Sequence, residues 1–186
     1  MTSTAKTNSS CLAFLIFAVL SVTAGFAQSP SHGPTKGYLL ITGGATEPRD
    51  YQRFVDLAGG KNANIVVIPN GSVTKPSDQA SLQEEYCGSK SPFAAFSGVA
   101  CTVVFTNDHA LANSPEFVTP IKKATGIWFV GGRHWRIADA YLDILTLKEF
   151  FNLLDRGAPL VAVPPALRSK VPLWCAALPF LMTTKS

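Results

Sequence analysis

The sequence predicts a doubly wound α/β domain, in which helices cover both faces of a mostly parallel sheet. Short apolar runs alternate with helical segments along the chain, and loops containing glycine, asparagine or serine follow the strands. Such alternation is typical of parallel sheets, whose strands all end at one edge. A length of 186 residues, with 47% hydrophobic and 15% charged residues, is sufficient for one domain with a core.

Five strands are predicted from the apolar runs. They are expected at Tyr38–Thr42, Asn64–Pro69, Cys101–Phe105, Ile127–Val130 and Pro159–Val163. The fourth run is apolar throughout, which is expected of a central strand that is covered on both faces.

Helices are predicted between these strands. They are expected at Asp50–Ala58, at Ser77–Tyr86, at Pro92–Ser97, in a broken helix around Pro115 and Pro120, in the segment containing Trp135, Ile137, Ala138 and Tyr141, and at Lys148–Leu154. Gly59 and Gly60 are a typical C-terminal signal for the first helix. Ser77 or Asp78 is the expected N-cap of the second helix.

Residues 1–27 are predicted to be a signal peptide. Lys6 precedes an apolar run from Leu12 to Val22, and the small residues before Gln28 indicate cleavage after Ala27. The apolar run is short for a membrane span. We therefore expect a secreted or periplasmic protein with a flexible leader at 28–36. The competing interpretation is an uncleaved amphipathic anchor.

Charge and cysteine content limit the partners and leave one structural question open. The formal net charge of +4 is spread along the chain, so no nucleic-acid partner is expected. Cys87 and Cys101 can form a disulfide in an oxidising compartment, or they can be two small buried apolar residues. Their spacing does not decide between these alternatives.

Two pairs of glycines follow predicted strands. Gly131 and Gly132 end the central strand, and Gly43 and Gly44 end the first. Glycine allows a positive φ and leaves main-chain amides open to a ligand, and ligands of open α/β sheets bind at this edge. The competing interpretation is a tight strand-to-helix turn. The first pair lacks the G-x-G-x-x-G spacing, so a nucleotide-binding domain is not favoured.

Four segments carry a resemblance to a known family. They are Leu39–Gly44, Phe54–Pro69, Trp128–Arg136 and Phe150–Gly157. Together they resemble the cyanophycinase and dipeptidase E group of serine peptidases, which have the class I glutamine amidotransferase-like fold. The resemblance covers roughly Gly37 to Pro159. It implies acyl transfer by a serine, a histidine and an acidic residue, without metal or cofactor. A small peptide or isopeptide is the implied substrate of a protein that acts alone or as a homodimer.

The resemblance also implies where a substrate would bind. The candidate substrate-binding or oxyanion residues are Gly43, Gly44, Gly131, Gly132, Arg133 and His134, and the Gly132 amide is the candidate oxyanion donor. The family has a glutamine at the position of His134. His134 is therefore either a substitute hydrogen-bond partner or an exposed histidine at a helix start.

The family's nucleophile elbow is absent from this sequence. A Gly-Thr-Ser-Ala-Gly-Ala-like motif is expected near Val163 and Pro164, and two consecutive prolines stand there instead. Proline is incompatible with the strained turn and helix start that expose a nucleophilic serine. Neither His109 nor His134 matches the family's catalytic histidine. We therefore assign no catalytic residue, and we predict that the chain as written is inactive.

A change of reading frame accounts for this absence. If each codon is read from the third base of the codon before it, the codons from Val161 to Ala166 can spell a run containing Gly-Gly-Ser-Ser. The codons that follow Ser169 can spell Gln-Gly-Ser, two further residues and Val-Arg-Gly, which the family also has. We therefore predict an α/β domain at 37–160, incomplete at its C-terminus, and an out-of-frame tail at 161–186. The competing interpretation is a genuine divergent C-terminus.

Two functional hypotheses follow from the sequence. The first is a cyanophycinase-like serine-type peptidase that has lost its nucleophile. The alternative is a non-catalytic, ligand-binding α/β domain that keeps the glycine loops.

Overall fold

Five strands and six helices alternate along the described part of the chain. The computed structural model describes residues 36–42, 46–73 and 78–163. The predicted signal peptide, Gly43, Gly44, Ser77 and residues 164–186 lie outside the described residues. The strands are β1 (Tyr38–Ile41), β2 (Asn64–Ile68), β3 (Ala100–Val103), β4 (Gly126–Phe129) and β5 (Pro159–Ala162). The helices are α1 (Pro48–Leu57), α2 (Gln79–Cys87), α3 (His109–Ala112), α4 (Pro115–Lys123), α5 (Trp135–Tyr141) and α6 (Leu145–Asp155), with short 3₁₀ turns at Gly60–Asn62 and Pro92–Ala95.

The strands form one sheet in the order β1-β5-β4-β2-β3, and every neighbouring pair is parallel. The strand predicted to be central, β4, lies in the middle of the five. β5 lies between β1 and β4, and it includes Val161 and Ala162 from the segment predicted to be out of frame. Val161 is fully buried.

Helices cover both faces of the sheet, as predicted. On one face, α3 to α6 pack over Ile68, Ile127 and Phe129. On the other face, α1 and α2 pack over Val67, Trp128 and Val161. Because successive residues of a strand point to opposite faces, Trp128 packs on the second face between two residues of the first. None of the helices within the described ranges is long and apolar enough to cross a membrane.

The helix that was predicted to be broken around Pro115 and Pro120 is broken, immediately before Pro115. α4 runs from Pro115 to Lys123 with Pro120 inside it, and the chain breaks before it, at Asn113 and Ser114. Proline at the first helical position costs no hydrogen bond, since that N–H has no intrahelical partner. Pro120 removes only one internal bond, and the Ser114 hydroxyl accepts a bond from the Phe117 amide at 3.2 Å.

The cysteine question is answered by a disulfide. Cys87, the last residue of α2, is bonded to Cys101 of β3, with their Cα atoms 5.5 Å apart. Both cysteines are partly buried. The bond attaches α2 to the strand at one edge of the sheet.

Asp78 is the N-cap of α2, one of the two residues predicted for that role. Its Oδ1 accepts a bond from the Ser81 amide at 2.8 Å, and its Oδ2 accepts one from the Ser81 hydroxyl at 2.6 Å. These bonds, that of the hydroxyl first, hold the pKa of Asp78 below its ordinary value of 3.8. The cap therefore stabilises α2 above the pKa of the unfolded chain, and this contribution is lost as the pH falls through the lowered value.

We expect an NMR titration of the Asp78 carboxyl carbon to give a midpoint below 3.8. Ser81→Ala should move the midpoint upward, because it removes the hydroxyl that donates to Oδ2. A midpoint at or above 3.8 in the unaltered protein would contradict this capping geometry.

Candidate functional site

The loops after β2 and β4 touch at the carboxyl edge of the sheet. We call Asn70–Ser72, Gly131–His134 and Val163 the rim. The Arg133 amide donates to the Gly71 carbonyl at 2.8 Å. Gly132 has a φ of 142°, and a Cβ there would overlap the Gly71 carbonyl. The conformational freedom of Gly132 is therefore used for a contact between two loops.

The same glycine pair has two unbonded amides, and Gly131 lies beside the end of β5. No hydrogen bond joins the Gly131 or Gly132 amide to another residue of the described ranges. A Cβ on Gly131 would lie 3.0 Å from Val163 Cγ1 and 3.1 Å from Val163 O. Since Phe129 pairs with Ala162 in register, the residues after these strands are neighbours. Gly131, whose amide is unbonded, thus lies next to the position where a nucleophile is expected.

His134 holds the end of β5. Its Nε2 lies 3.1 Å from Val163 O, and the side chain is partly buried. The bond requires a proton on Nε2, which donates to the carbonyl. His134 lies at the start of α5 and is partly buried, and its bond is to a carbonyl of the chain itself, so a role toward substrate stays a prediction.

Two arginines bring positive charge to the rim. Arg133 is exposed, and its side chain forms no ion pair with another described residue. Arg136 Nη1 donates to Val73 O at 3.4 Å, and its guanidinium lies 5.3 Å from the centre of the Trp135 ring. A guanidinium binds a carboxylate through two parallel hydrogen bonds, so Arg133 is available for an acidic ligand.

A buried network of hydrogen bonds holds the rim residue Asn70 in place. Asn70 is fully buried, and its Nδ2 donates to Thr106 O at 2.8 Å and to Asn107 Oδ1 at 3.3 Å. The Tyr141 hydroxyl donates to Asn70 Oδ1 at 2.8 Å. Burial raises the pKa of Tyr141 far above its ordinary value, so this hydroxyl keeps its proton. The network joins the loops after β2 and β3 to α5.

Sequence reasoning missed this network. Asn70 lies in a loop directly after a predicted strand, and Tyr141 was predicted only as a residue of a helix. An asparagine directly after a buried strand was the available signal, because a buried amide needs partners.

Ser72 is the serine of the rim, and its hydroxyl is engaged by neutral groups. Ser72 Oγ donates to Pro69 O at 3.0 Å and lies 3.0 Å from the Tyr86 hydroxyl. Burial raises the pKa of Tyr86, so its hydroxyl is neutral. Because the Ser72 hydroxyl proton is donated to Pro69 O, Tyr86 is the donor in its contact with Ser72. No serine hydroxyl in the described ranges is hydrogen-bonded to a histidine, so none of them has an activating base.

The remaining predicted site residues lie at or beyond the limits of the structure. Gly43, Gly44 and Pro164 are outside the described residues. Among the described residues, no three His, Cys, Asp or Glu side chains are grouped to hold a metal ion.

Comparison with known proteins gives one informative result. No protein-family model matches the chain, and no curated protein matches it. The crystal structure of a peptidase from an acI-B1 Actinobacterium does match, with a TM-score of 0.57 and 19% sequence identity. The chain has the fold of that peptidase.

The match covers 73% of this chain and 56% of the peptidase, so the chain spans little more than half the length of its structural neighbour. At this identity the likeness concerns the fold. It confirms the predicted α/β architecture.

Proposed function

We propose that this chain is a cyanophycinase-like serine-type peptidase domain that binds a small peptide or isopeptide at the rim but does not hydrolyse it. The observation that carries the proposal is the unbonded amide of Gly131, a residue that lies against Val163, followed by the unbonded amide of Gly132. A serine peptidase needs such donors next to its nucleophile, because they stabilise the oxyanion that forms on the attacked carbonyl.

Hydrolysis is not expected, because the serine peptidase reaction that the resemblance implies needs a nucleophile that this sequence lacks. A serine directly after β5 would attack the scissile carbonyl, and a histidine would take its proton and return it to the leaving amine. Prolines at Pro164 and Pro165 stand where that serine is required. The carbonyl can still bind to the amides, so binding remains while turnover is lost.

The positive charge of Arg133 supports an acidic ligand, and the disulfide supports an exported protein. Arg133 is exposed at the rim, which favours a ligand with a carboxylate. A disulfide between Cys87 and Cys101 is stable in an oxidising compartment and rare in the cytosol, so it supports an exported protein.

We expect no labelling of the purified chain by a fluorophosphonate probe, and saturable binding of an aspartyl dipeptide by calorimetry. Arg133→Ala should weaken binding about tenfold or more, because a charge-assisted hydrogen bond is lost. Lys123→Ala is the matched control. It removes a positive charge at the end of α4, which leads into the opposite edge of the sheet, and it should leave binding unchanged.

The outcomes separate the hypotheses. Labelling would contradict the loss of catalysis. Binding without labelling supports the proposal, and the absence of both labelling and binding would overturn it. Peptide binding that is unaffected by Arg133→Ala would show that the peptide does not bind at the rim.

A further inference from the structure

Helix α2 is attached to the sheet by few apolar contacts. Within this nine-residue helix, Leu82 is the buried side chain. Gln83 instead bonds to the outer edge of β3, where its Nε2 donates to Cys101 O at 2.9 Å and its Oε1 accepts from the Val103 amide at 2.8 Å. Gln79 Nε2 also donates to Val103 O. Side-chain amides thus occupy the backbone groups that a further strand would use.

The disulfide is the covalent part of this attachment. A helix of this length is not stable alone in water, so its order depends on what holds it to the sheet. One buried leucine, the partly buried Tyr86 and Cys87 and three side-chain hydrogen bonds give a unit of low local stability. The Cys87–Cys101 bond fixes the last turn of α2 to β3 and limits its opening.

A short series of contacts connects this helix to the rim. Tyr86, which precedes Cys87, places its hydroxyl 3.0 Å from Ser72 Oγ. Ser72 follows Gly71, whose carbonyl accepts the Arg133 amide. If the last turn of α2 moves, the Tyr86 contact is lost, and the loop that positions Arg133 loses one of its supports.

We propose that the Cys87–Cys101 disulfide is a thiol-responsive switch that controls ligand binding at the rim. A dithiol reductant attacks one sulfur, the S–S bond breaks, and the two cysteines gain two electrons and two protons while the dithiol closes to its own disulfide. The last turn of α2 then separates from β3. The effect on ligand binding rests on the proposed function, whereas the release of α2 does not.

The release is tested by hydrogen exchange on the full chain, before and after treatment with dithiothreitol, with thiol titration to confirm two additional thiols. We expect exchange of the Val103 amide to rise at least tenfold on reduction. The Val130 amide, which donates to Ile68 O in the middle of the sheet, should not change. Unchanged exchange at Val103 would overturn the switch, and an equal rise at Val130 would show global unfolding instead.

The effect on the rim is tested by calorimetry with the aspartyl dipeptide. Reduced protein should bind at least fivefold more weakly than oxidised protein, and the double variant Cys87→Ser/Cys101→Ser should match the reduced form in both redox conditions. Tyr86→Phe keeps the disulfide and removes the Ser72 contact, so it should weaken binding in the oxidised protein.

Equal affinity of the oxidised and reduced forms would overturn the coupling. If the oxidised protein binds no peptide, the proposed function fails, and the exchange experiment still decides whether α2 is released.

Discussion

Replacing Gly132 with alanine is expected to destabilise the protein by about 4 kcal/mol. Backbone strain at a φ of 142° contributes about 1 to 3 kcal/mol in a residue with a Cβ, and relief of the overlap with the Gly71 carbonyl costs a similar amount. Urea unfolding measures the change. We also expect loss of peptide binding, because separating the two loops breaks the bond from the Arg133 amide to Gly71.

Gly60→Ala is the matched control for this prediction. Gly60 also has a positive φ, 62°, but a Cβ there would meet no atom within 4 Å. The variant should therefore show only the cost of the left-handed conformation, about 1 to 2 kcal/mol. If Gly132→Ala is no more destabilising than Gly60→Ala, the contact between the two rim loops is not as described.

Replacing Asn70 with alanine is expected to lower the free energy of unfolding by about 3 kcal/mol, because it leaves buried polar groups without hydrogen-bond partners. The change leaves the Tyr141 hydroxyl and the Thr106 carbonyl without their bonds to Asn70. Tyr141→Phe removes one of the bonds and should cost about 1 to 2 kcal/mol. In a double-mutant cycle the two changes should be less than additive, because they remove the same bond.

Asn113→Ala provides the control for the buried network. Asn113 is likewise hydrogen-bonded, since its Oδ1 accepts a bond from the Leu145 amide at 2.9 Å, but this asparagine is exposed. Water can replace that bond, so the cost should be within about 1 kcal/mol. Additive effects of Asn70→Ala and Tyr141→Phe would argue against the bond between these side chains.

The strands were predictable because each consists of a short apolar run that ends at a recognisable loop. All five occur within two residues of the predicted limits, and the apolar character of β4 correctly indicated its central position. The limits of helices were less accurate. The helix is broken before Pro115 but not at Pro120, because the cost of a proline depends on how many hydrogen bonds it removes at its position.

The attachment of α2 and the role of Gly132 could not be derived from the sequence. α2 packs only Leu82, Tyr86 and Cys87 against the core, so its docking depends also on glutamines whose partners are set by the edge of β3. Spacing of Cys87 and Cys101 does not fix the distance between their Cα atoms. The Gly132 contact depends on the path of a second loop, about 60 residues away in sequence.

The position of β5 determines when the first strand can fold. β1 pairs only with β5 among the described strands, and Tyr38 and its partner Pro159 are about 120 residues apart. At a synthesis rate of about 5 to 20 residues per second, β1 waits on the order of 6 to 24 s for its partner to be made. During that interval a nascent chain carries Leu39 and Leu40, which pack against the core in the folded protein, without that cover, and these are the side chains that a chaperone would have to shield.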